Sequence, residues 1–507
     1  MGIRDDNDTN TSHVTATLNI GGGTVTIGNI GSSGAMGQNN NGVGTGTATA
    51  TLNVTGGTVG IGSISNMALN GGFNGTVTAT LNFLGGTVTM GGDITRFSTS
   101  GSNADAILNL DGSMLDMAGN NIGGAGGLAL DEVNLKSGTL KNVGEVNNGA
   151  AITKTTGGTL VLDGNNTYTG DTNIDAGILS VINGSAIPDT SDVTINGGAL
   201  HIGTNAPTDD ETIGGLTLSG GNVTAASTLT VTGPIVASAS GTIGDSGTLD
   251  LNGQTVTVTN GGDTLTVTRN IVDGVGDQLV KNGAGTLEIG GGATLGGPSV
   301  DGIDILGGTV SITGGTVDLQ GGNVQTNGNM FNLAGGILQN VDTIFGTLDQ
   351  TGGTLINSLN SPDTMTITGD YNQTGGTFVV DIAGEFLGDY DIYDVGGTAT
   401  LDGVLKINLL DGFQPGVTGV TGIFWDVLVA DMITIGPNFS LDTSMAQFTS
   451  APFRGWAYEI VDLGNGRFAL RLFVTPEPAS VLVWGVAGLA ALLYARRRRW
   501  LPLAGGR

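Results

Sequence analysis

A right-handed parallel β-helix, closed by a β-rich C-terminal cap and followed by one C-terminal transmembrane helix, is the all-β architecture that three observations predict. A unit anchored on Leu-Asn recurs near the N-terminus, its leucines Leu18, Leu52, Leu81 and Leu108 spaced 34, 29 and 27 residues apart, a period in the range of solenoid repeats. Apolar residues alternate with Thr, Asn and Gly in short runs, the period-2 signal of strands. Residues 479–495 carry no charge and are followed by four arginines, Arg496 to Arg499.

Composition supports repetition over disorder. The 507 residues include 94 glycines and 11 prolines, yet 38% are hydrophobic, well above a disordered Gly-rich linker. Carboxylates number 44 against 16 basic residues, a net charge of -28. Six of those basic residues lie at or after Arg471, so the body before it is more acidic still. Such a field favours solubility and excludes nucleic acid or anionic lipid as a partner of the body. With no cysteine, disulfides, thiolate metal sites and a cysteine nucleophile are excluded.

The first domain, residues 1–148, holds the N-terminal repeats. Thr15-Ala-Thr-Leu-Asn-Ile20 with Gly22-Gly-Thr-Val-Thr-Ile27 opens the series, and Thr49 to Val54, Thr78 to Phe83 and Ala104 to Leu110 repeat it. Gly-Gly and Asn-Gly pairs supply the positive φ of the turns. Each unit makes one coil, with Val, Leu and Ile inside and Thr and Asn toward water. Met1 to Asn10 reads MGIRDDNDTN, without the basic and apolar regions of a secretory leader, so a leader is expected upstream.

The second domain, residues 149–368, continues the β-helix. Thr153 to Val181 reads TKTTGGTLVLDGNNTYTGDTNIDAGILSV, which resembles the autotransporter-associated β-strand repeat with its Gly-Thr-Leu, Asn-x-Tyr-x-Gly-x-Thr and Ala-Gly-x-Leu pattern. Leu279-Val-Lys-Asn-Gly-Ala-Gly-Thr-Leu-Glu-Ile289 is similar to the opening of a second copy. Leu160 and Leu162 share a strand face, Gly170 and Gly177 make corners, and Tyr168 is expected to cover a coil edge. The resemblance implies a passenger-type β-helix. The single apolar segment near Val481 stands where an autotransporter has its barrel, so delivery through a self-supplied barrel is not expected.

From residue 369 to 474 aromatic residues enter, among them Tyr371, Phe378, Tyr393, Trp425 and Trp456. This texture predicts a β-rich module that covers the open end of the solenoid.

Residues 475–507 have three parts in order. Pro476 and Pro478 hold Glu477 in extended backbone. Seventeen uncharged residues then span roughly 25 Å as a helix, somewhat short of a ~30 Å hydrocarbon core. Val481, Trp484, Leu489 and Leu493 lie in this membrane span, and Arg496, Arg497, Arg498 and Arg499 favour the cytoplasmic side. The layout resembles the PEP-CTERM sorting signal of exported proteins in Gram-negative, biofilm-forming bacteria. That resemblance implies transient residence in the inner membrane, processing by an exosortase at or near Pro476-Glu477-Pro478, and release to the cell surface or extracellular matrix.

The search for chemistry is sparse. His13 lies near a disordered-looking start and His201 on a strand, and both read as surface positions. Gly244-Asp-Ser-Gly247 has the form of a serine-protease loop without suitable His and Asp partners. No Gly-Lys-Ser/Thr phosphate loop occurs. Carboxylates cluster at Asp209-Asp210-Glu211 and between Asp389 and Asp394, and read as solvated turns and edge protection. No catalytic residue, metal ligand or cofactor is assigned. The expected function is a non-enzymatic, adhesive or structural surface rod, with exosortase as a transient partner and exopolysaccharide or neighbouring surface components as further ones. A polysaccharide-active enzyme and a permanently anchored membrane protein are the rivals.

Overall fold

The computed structural model describes residues 4–5, 13–31, 36–39, 46–70, 75–97, 103–125, 128–203, 209–273, 277–296, 300–415, 423–448 and 454–476. Its described elements are β-strands, and the chain divides into two compact units, Met1–Val310 and Ser311–Arg507.

In the first unit, the strands His13–Ile20, Thr47–Ile61, Thr76–Met90, Ala104–Asp116 and Glu132–Lys141 stack in parallel. Leu18, Leu52, Leu81 and Leu108 fall into register one above another. Alternation does the sorting: Ala48, Ala50, Leu52 and Val54 are buried, while the threonines and Asn53 between them are not. The asparagines next to this column form a ladder on the outer face. Nδ2 of Asn53, Asn82, Asn109 and Asn134 each donates to Oδ1 of the asparagine one coil earlier, at 2.7, 2.8, 2.8 and 3.0 Å. His13 begins a strand at an exposed position, with Nδ1 2.6 Å from Thr47 Oγ1.

Beyond residue 150 the coil tightens. Leu160, Leu179, Leu200, Val223 and Ile243 lie in one column, so a coil takes 19 to 23 residues instead of 27 to 34. A second column runs through Ile152–Lys154, Thr172–Ile174, Val193–Ile195, Leu216–Leu218 and Ile235–Ala237. The third begins at Glu211–Ile213 and Leu229–Val231. Parallel ladders with coil-to-coil registry make this a β-helix solenoid.

The Asn-x-Tyr-x-Gly-x-Thr segment explains itself inside this coil. Asn166, Tyr168 and Thr172 all point inward and are buried. The Asn166 side chain accepts from the Val143 N–H at 2.8 Å and donates to the Ala186 carbonyl at 2.7 Å. The Tyr168 and Thr172 hydroxyls lie 2.9 Å apart, and Ser191 continues the chain at 3.0 Å. Tyr168 therefore does not cover a coil edge; its hydroxyl has partners in the interior, which lets the whole ring be buried. At Gly170 a Cβ would run into the Ala150 carbonyl, so only glycine fits. Lys154 and Lys281, at matching places in the two similar segments, are both buried and cap corner carbonyls. The Lys154 ammonium donates to the carbonyls of Thr156 and Ala176, and that of Lys281 to Asn282, Gly283 and Gly307 at 2.7, 2.9 and 3.0 Å.

The second unit repeats the plan with a bulkier core. Met330–Leu333, Leu348–Gln350, Tyr371–Gln373, Thr398–Leu401 and Met432–Ile435 form one parallel column. Ile337–Phe345, Thr354–Ile356, Thr377–Ile382, Val404–Leu409 and Ser440–Met445 form another. Parallel coils thus continue through the aromatic-rich region. Phe378 sits edge-on between Tyr371 and Tyr393, with ring centroids 6.0 and 5.4 Å away. Polarity reverses at the strand Phe424–Ala430, which pairs antiparallel with Phe468–Pro476, itself antiparallel to Arg454–Asp462. Arg471 clamps this junction through both oxygens of Asp426, at 2.7 and 2.9 Å.

Among the described residues no helix is long and apolar enough to cross a membrane. The expected transmembrane helix falls on residues outside that set.

Candidate functional site

A groove of about 500 Å³ opens on the second unit, lined by Asp318, Gln320, Gly321, Asn340, Val341, Asp342, Asn357, Ser358 and Asp363. Its residues come from successive coils at one corner. There the backbone turns left-handed at Gln320, Asn340 and Asn360, with φ of 49°, 53° and 56°, and asparagine tolerates that conformation better than other residues with a Cβ.

Hydrogen bonds hold the groove wall rigid. Asp318 accepts from the Asn340 amide at 2.8 Å, the Gln339 amide at 2.9 Å and the Gln320 N–H at 3.1 Å. Asn340 in turn accepts from the Leu359 N–H at 3.1 Å. The Asn357 amide donates to the Asp363 carbonyl at 2.6 Å. Asp342 is exposed and points no hydrogen bond at a described residue. The lining offers carboxylates, amides and one hydroxyl, with no basic and no aromatic side chain. Among the described residues no three His, Asp or Glu side chains are placed to hold a metal ion.

Behind the groove lies a buried pair of carboxyls. Asp391 is fully buried and accepts from the Asp363 N–H at 2.9 Å and the Asp381 N–H at 2.8 Å. Asp381 accepts from the Asn408 amide at 2.8 Å. Burial pushes the Asp391 carboxyl up to about 8, with Asp381 and Asp363 adding like charge and the two N–H donors opposing. Burial raises Asp381 as well, against the Asn408 amide. A carboxyl whose pKa is higher folded than unfolded contributes stability fully present below the unfolded value of ~4, lost as pH rises through the folded one. The urea midpoint of this unit, followed by the fluorescence of Trp425 and Trp456, is therefore expected to fall between pH 5 and pH 8. Asp391→Asn removes the larger part of that fall, and a slope that survives the substitution would assign it to other groups.

The acidic segments read as solvated turns differ from expectation in the same way. Glu211 is buried, accepts from the Ile187 N–H at 2.9 Å and the Ala186 N–H at 3.3 Å, and is pushed up to about 7 by burial. Asp209 is buried beside it and accepts from the Asn183 N–H at 3.0 Å. Asp210 alone remains outside, accepting from the Thr228 N–H at 2.7 Å. The cause is common to Glu211 and Asp391: a corner loop needs acceptors for its own inward N–H groups, and a carboxyl supplies two.

His201 shares a bond with Thr224 across coils, Nδ1 to Oγ1 at 2.9 Å. In Gly244-Asp-Ser-Gly247 the Asp245 side chain accepts from the Ser246 N–H at 2.7 Å and Gly247 bonds back to Ala225, so the tetrapeptide is a turn. Of the sorting residues, Pro476 ends the last strand, opposite Arg454. Glu477, Pro478, Val481, Trp484, Leu489, Leu493 and Arg496 to Arg499 lie outside the described residues.

No curated protein matches the chain. Residues 152–181 match the family model of the passenger-associated-transport-repeat. That stretch contains the buried Asn166, the Tyr168–Thr172 hydroxyl pair and the Lys154 corner, and in an all-β repeat fold it indicates an exported surface protein of the passenger type.

Proposed function

We propose that this chain is a non-enzymatic surface or matrix protein, an adhesive or structural β-helix delivered by its C-terminal tail. The observation that carries the proposal is the passenger-type repeat built into continuous parallel coils. Three features favour display over catalysis. The carboxyls with raised pKa, Asp391, Asp381 and Glu211, are buried. Both histidines are engaged by threonines of the next coil. The outer face of the N-terminal coils presents ordered ranks of Thr and Asn, which suit hydrogen bonding to exopolysaccharide or to neighbouring surface components.

The tail supplies the route. Pro476-Glu477-Pro478, the uncharged run from Val481 to Ala495 and Arg496 to Arg499 are read as a sorting signal: an inner-membrane stage, then exosortase cleavage near the Pro-Glu-Pro motif, then release to the surface. Intact mass spectrometry of the protein recovered from its native surface is expected to give a C-terminus close to Pro476–Pro478. Mature material that still ends at Arg507 would overturn the processing step and favour permanent anchoring.

The groove supports one competing reading, a polysaccharide-active solenoid. Release of new sugar ends from uronate or neutral glycans, abolished by Asp342→Asn or Asp363→Asn, would replace the display function with an enzymatic one.

A further inference from the structure

Phe386 and Leu387 are the most exposed large apolar side chains among the described residues, at 77% and 80%. They stand at the tip of a closed loop between the strands Thr377–Ile382 and Ile392–Val395. The loop is tied at its base: the N–H groups of Ala383 and Gly384 donate to the Asp389 carbonyl at 2.7 and 3.2 Å, and Ile382 bridges Tyr390. Its tip is held by the Asp389 N–H on the Phe386 carbonyl at 2.9 Å and the Phe386 N–H on the Asp389 carboxylate at 3.2 Å. Two adjacent apolar side chains on a rigid, solvent-facing tip are costly to leave in water without a partner.

The position of the loop identifies the partner. The Trp425 indole N–H donates to the Gly384 carbonyl at 2.8 Å, and Trp425 pairs with Leu472 across the antiparallel ladder. The loop therefore stands beside the strand Phe468–Pro476 near Leu472, four residues before Pro476, from which the chain leaves. Half-exposed Phe424 lies opposite Phe473 in the same ladder, under the Arg471 guanidinium at 3.5 Å. Only residues 477–480 separate Pro476 from the apolar run that begins at Val481. Even fully extended, that connection reaches roughly 18 Å at ~3.6 Å per residue. A tail embedded in a bilayer holds this side of the unit against the lipid surface.

We infer that the Phe386–Leu387 tip is a second membrane contact, seated in the bilayer interface while the tail is embedded. The inference rests on the membrane stage of the proposed function. Glu385 and Asp389 flank the tip, so the lipid surface it fits is zwitterionic, not anionic. Cleavage of the tail would leave the tip as the remaining, weaker hold on the membrane, so release follows from one cut.

The chain has no cysteine, which makes single labels unambiguous. Leu387→Cys, Asn465→Cys and Leu489→Cys, each carrying an environment-sensitive nitrobenzoxadiazole label, are reconstituted as full chains in phosphatidylcholine vesicles with spin-labelled lipid. Asn465 lies in the turn at the other end of the hairpin and serves as the water reference. The expected result is strong quenching at 387 by shallow spin labels, strong quenching at 489 by deep ones, and none at 465. Quenching at 489 with 387 as exposed as 465 would overturn the inference and leave the embedded tail standing. Quenching at neither would overturn both. A label at 387 shielded from water yet unquenched by lipid would assign the tip to a protein partner and overturn the lipid contact.

Discussion

Trp425→Ala is expected to lower the stability of the C-terminal unit by about 3–5 kcal/mol, the range for removing a large aromatic side chain from a core. Trp425 is fully buried, and its ring lies 5.3 Å from Trp456 and 6.5 Å from Phe413. Its indole N–H is spent on the Gly384 carbonyl, so truncation leaves a cavity and an acceptor without its donor at once. It also sits on the strand where parallel pairing gives way to antiparallel. The loss is expected to reach the hairpin Arg454–Pro476 first. Urea unfolding combined with hydrogen exchange checks both points: the midpoint falls, and amides of Phe468 to Thr475 lose protection ahead of those in Thr377–Ile382. Equal loss across both strands would show that Trp425 supports the whole unit instead of its terminal hairpin.

Gly353→Ala is expected to cost at least about 3 kcal/mol, through left-handed backbone strain of ~1–2 kcal/mol and a clash that adds to it. Gly315, Gly336, Gly353 and Gly376 turn one corner in successive coils, with φ of 70°, 64°, 64° and 72°. A Cβ on Gly353 would lie 2.6 Å from the Gly335 carbonyl oxygen of the coil before it. Backbone, not a movable side chain, blocks it. Gly328→Ala separates the two terms: Gly328 has φ of 79° with nothing within 4 Å of a new Cβ. It should lose only about 1 kcal/mol. Equal losses in the two variants, read by chemical denaturation, would show that the coils can slide apart to admit a methyl group.

Much of the solenoid is legible in the residues themselves. The leucine column and the asparagine beside it can be read because alternation and repeat spacing are local, and registry follows once coils stack. The coil length after residue 150 is less plain, because the columns are set by contacts about one coil apart. Tyr168 illustrates a different limit. A tyrosine in a Thr- and Gly-rich stretch reads as an edge residue until Thr172 and Ser191 are seen to satisfy its hydroxyl. Glu211 and Asp391 were hidden for the same reason, since a carboxyl is read as exposed unless the N–H groups that bury it are known, and those lie on other turns of the chain. The groove is wholly non-local: Asp318, Asn340 and Asp363 are brought together by coil stacking, and no motif links them.

The asparagine ladder and the parallel columns are self-templating by nature, since each coil offers the next an edge of matching sense. The hairpin Arg454–Pro476 ends that logic on one column. A newcomer meeting Phe424–Ala430 finds its edge taken by a strand running the other way, and the strand beyond, Arg454–Asp462, is antiparallel to that one and so runs in the sense of Phe424–Ala430 again. A further coil can reach Phe424–Ala430 itself only by displacing this hairpin, because that edge is already paired with the antiparallel spacing of donors and acceptors. Chain reversal thus closes the growing edge of one column with the chain's own last strands, where the next repeat would otherwise stand.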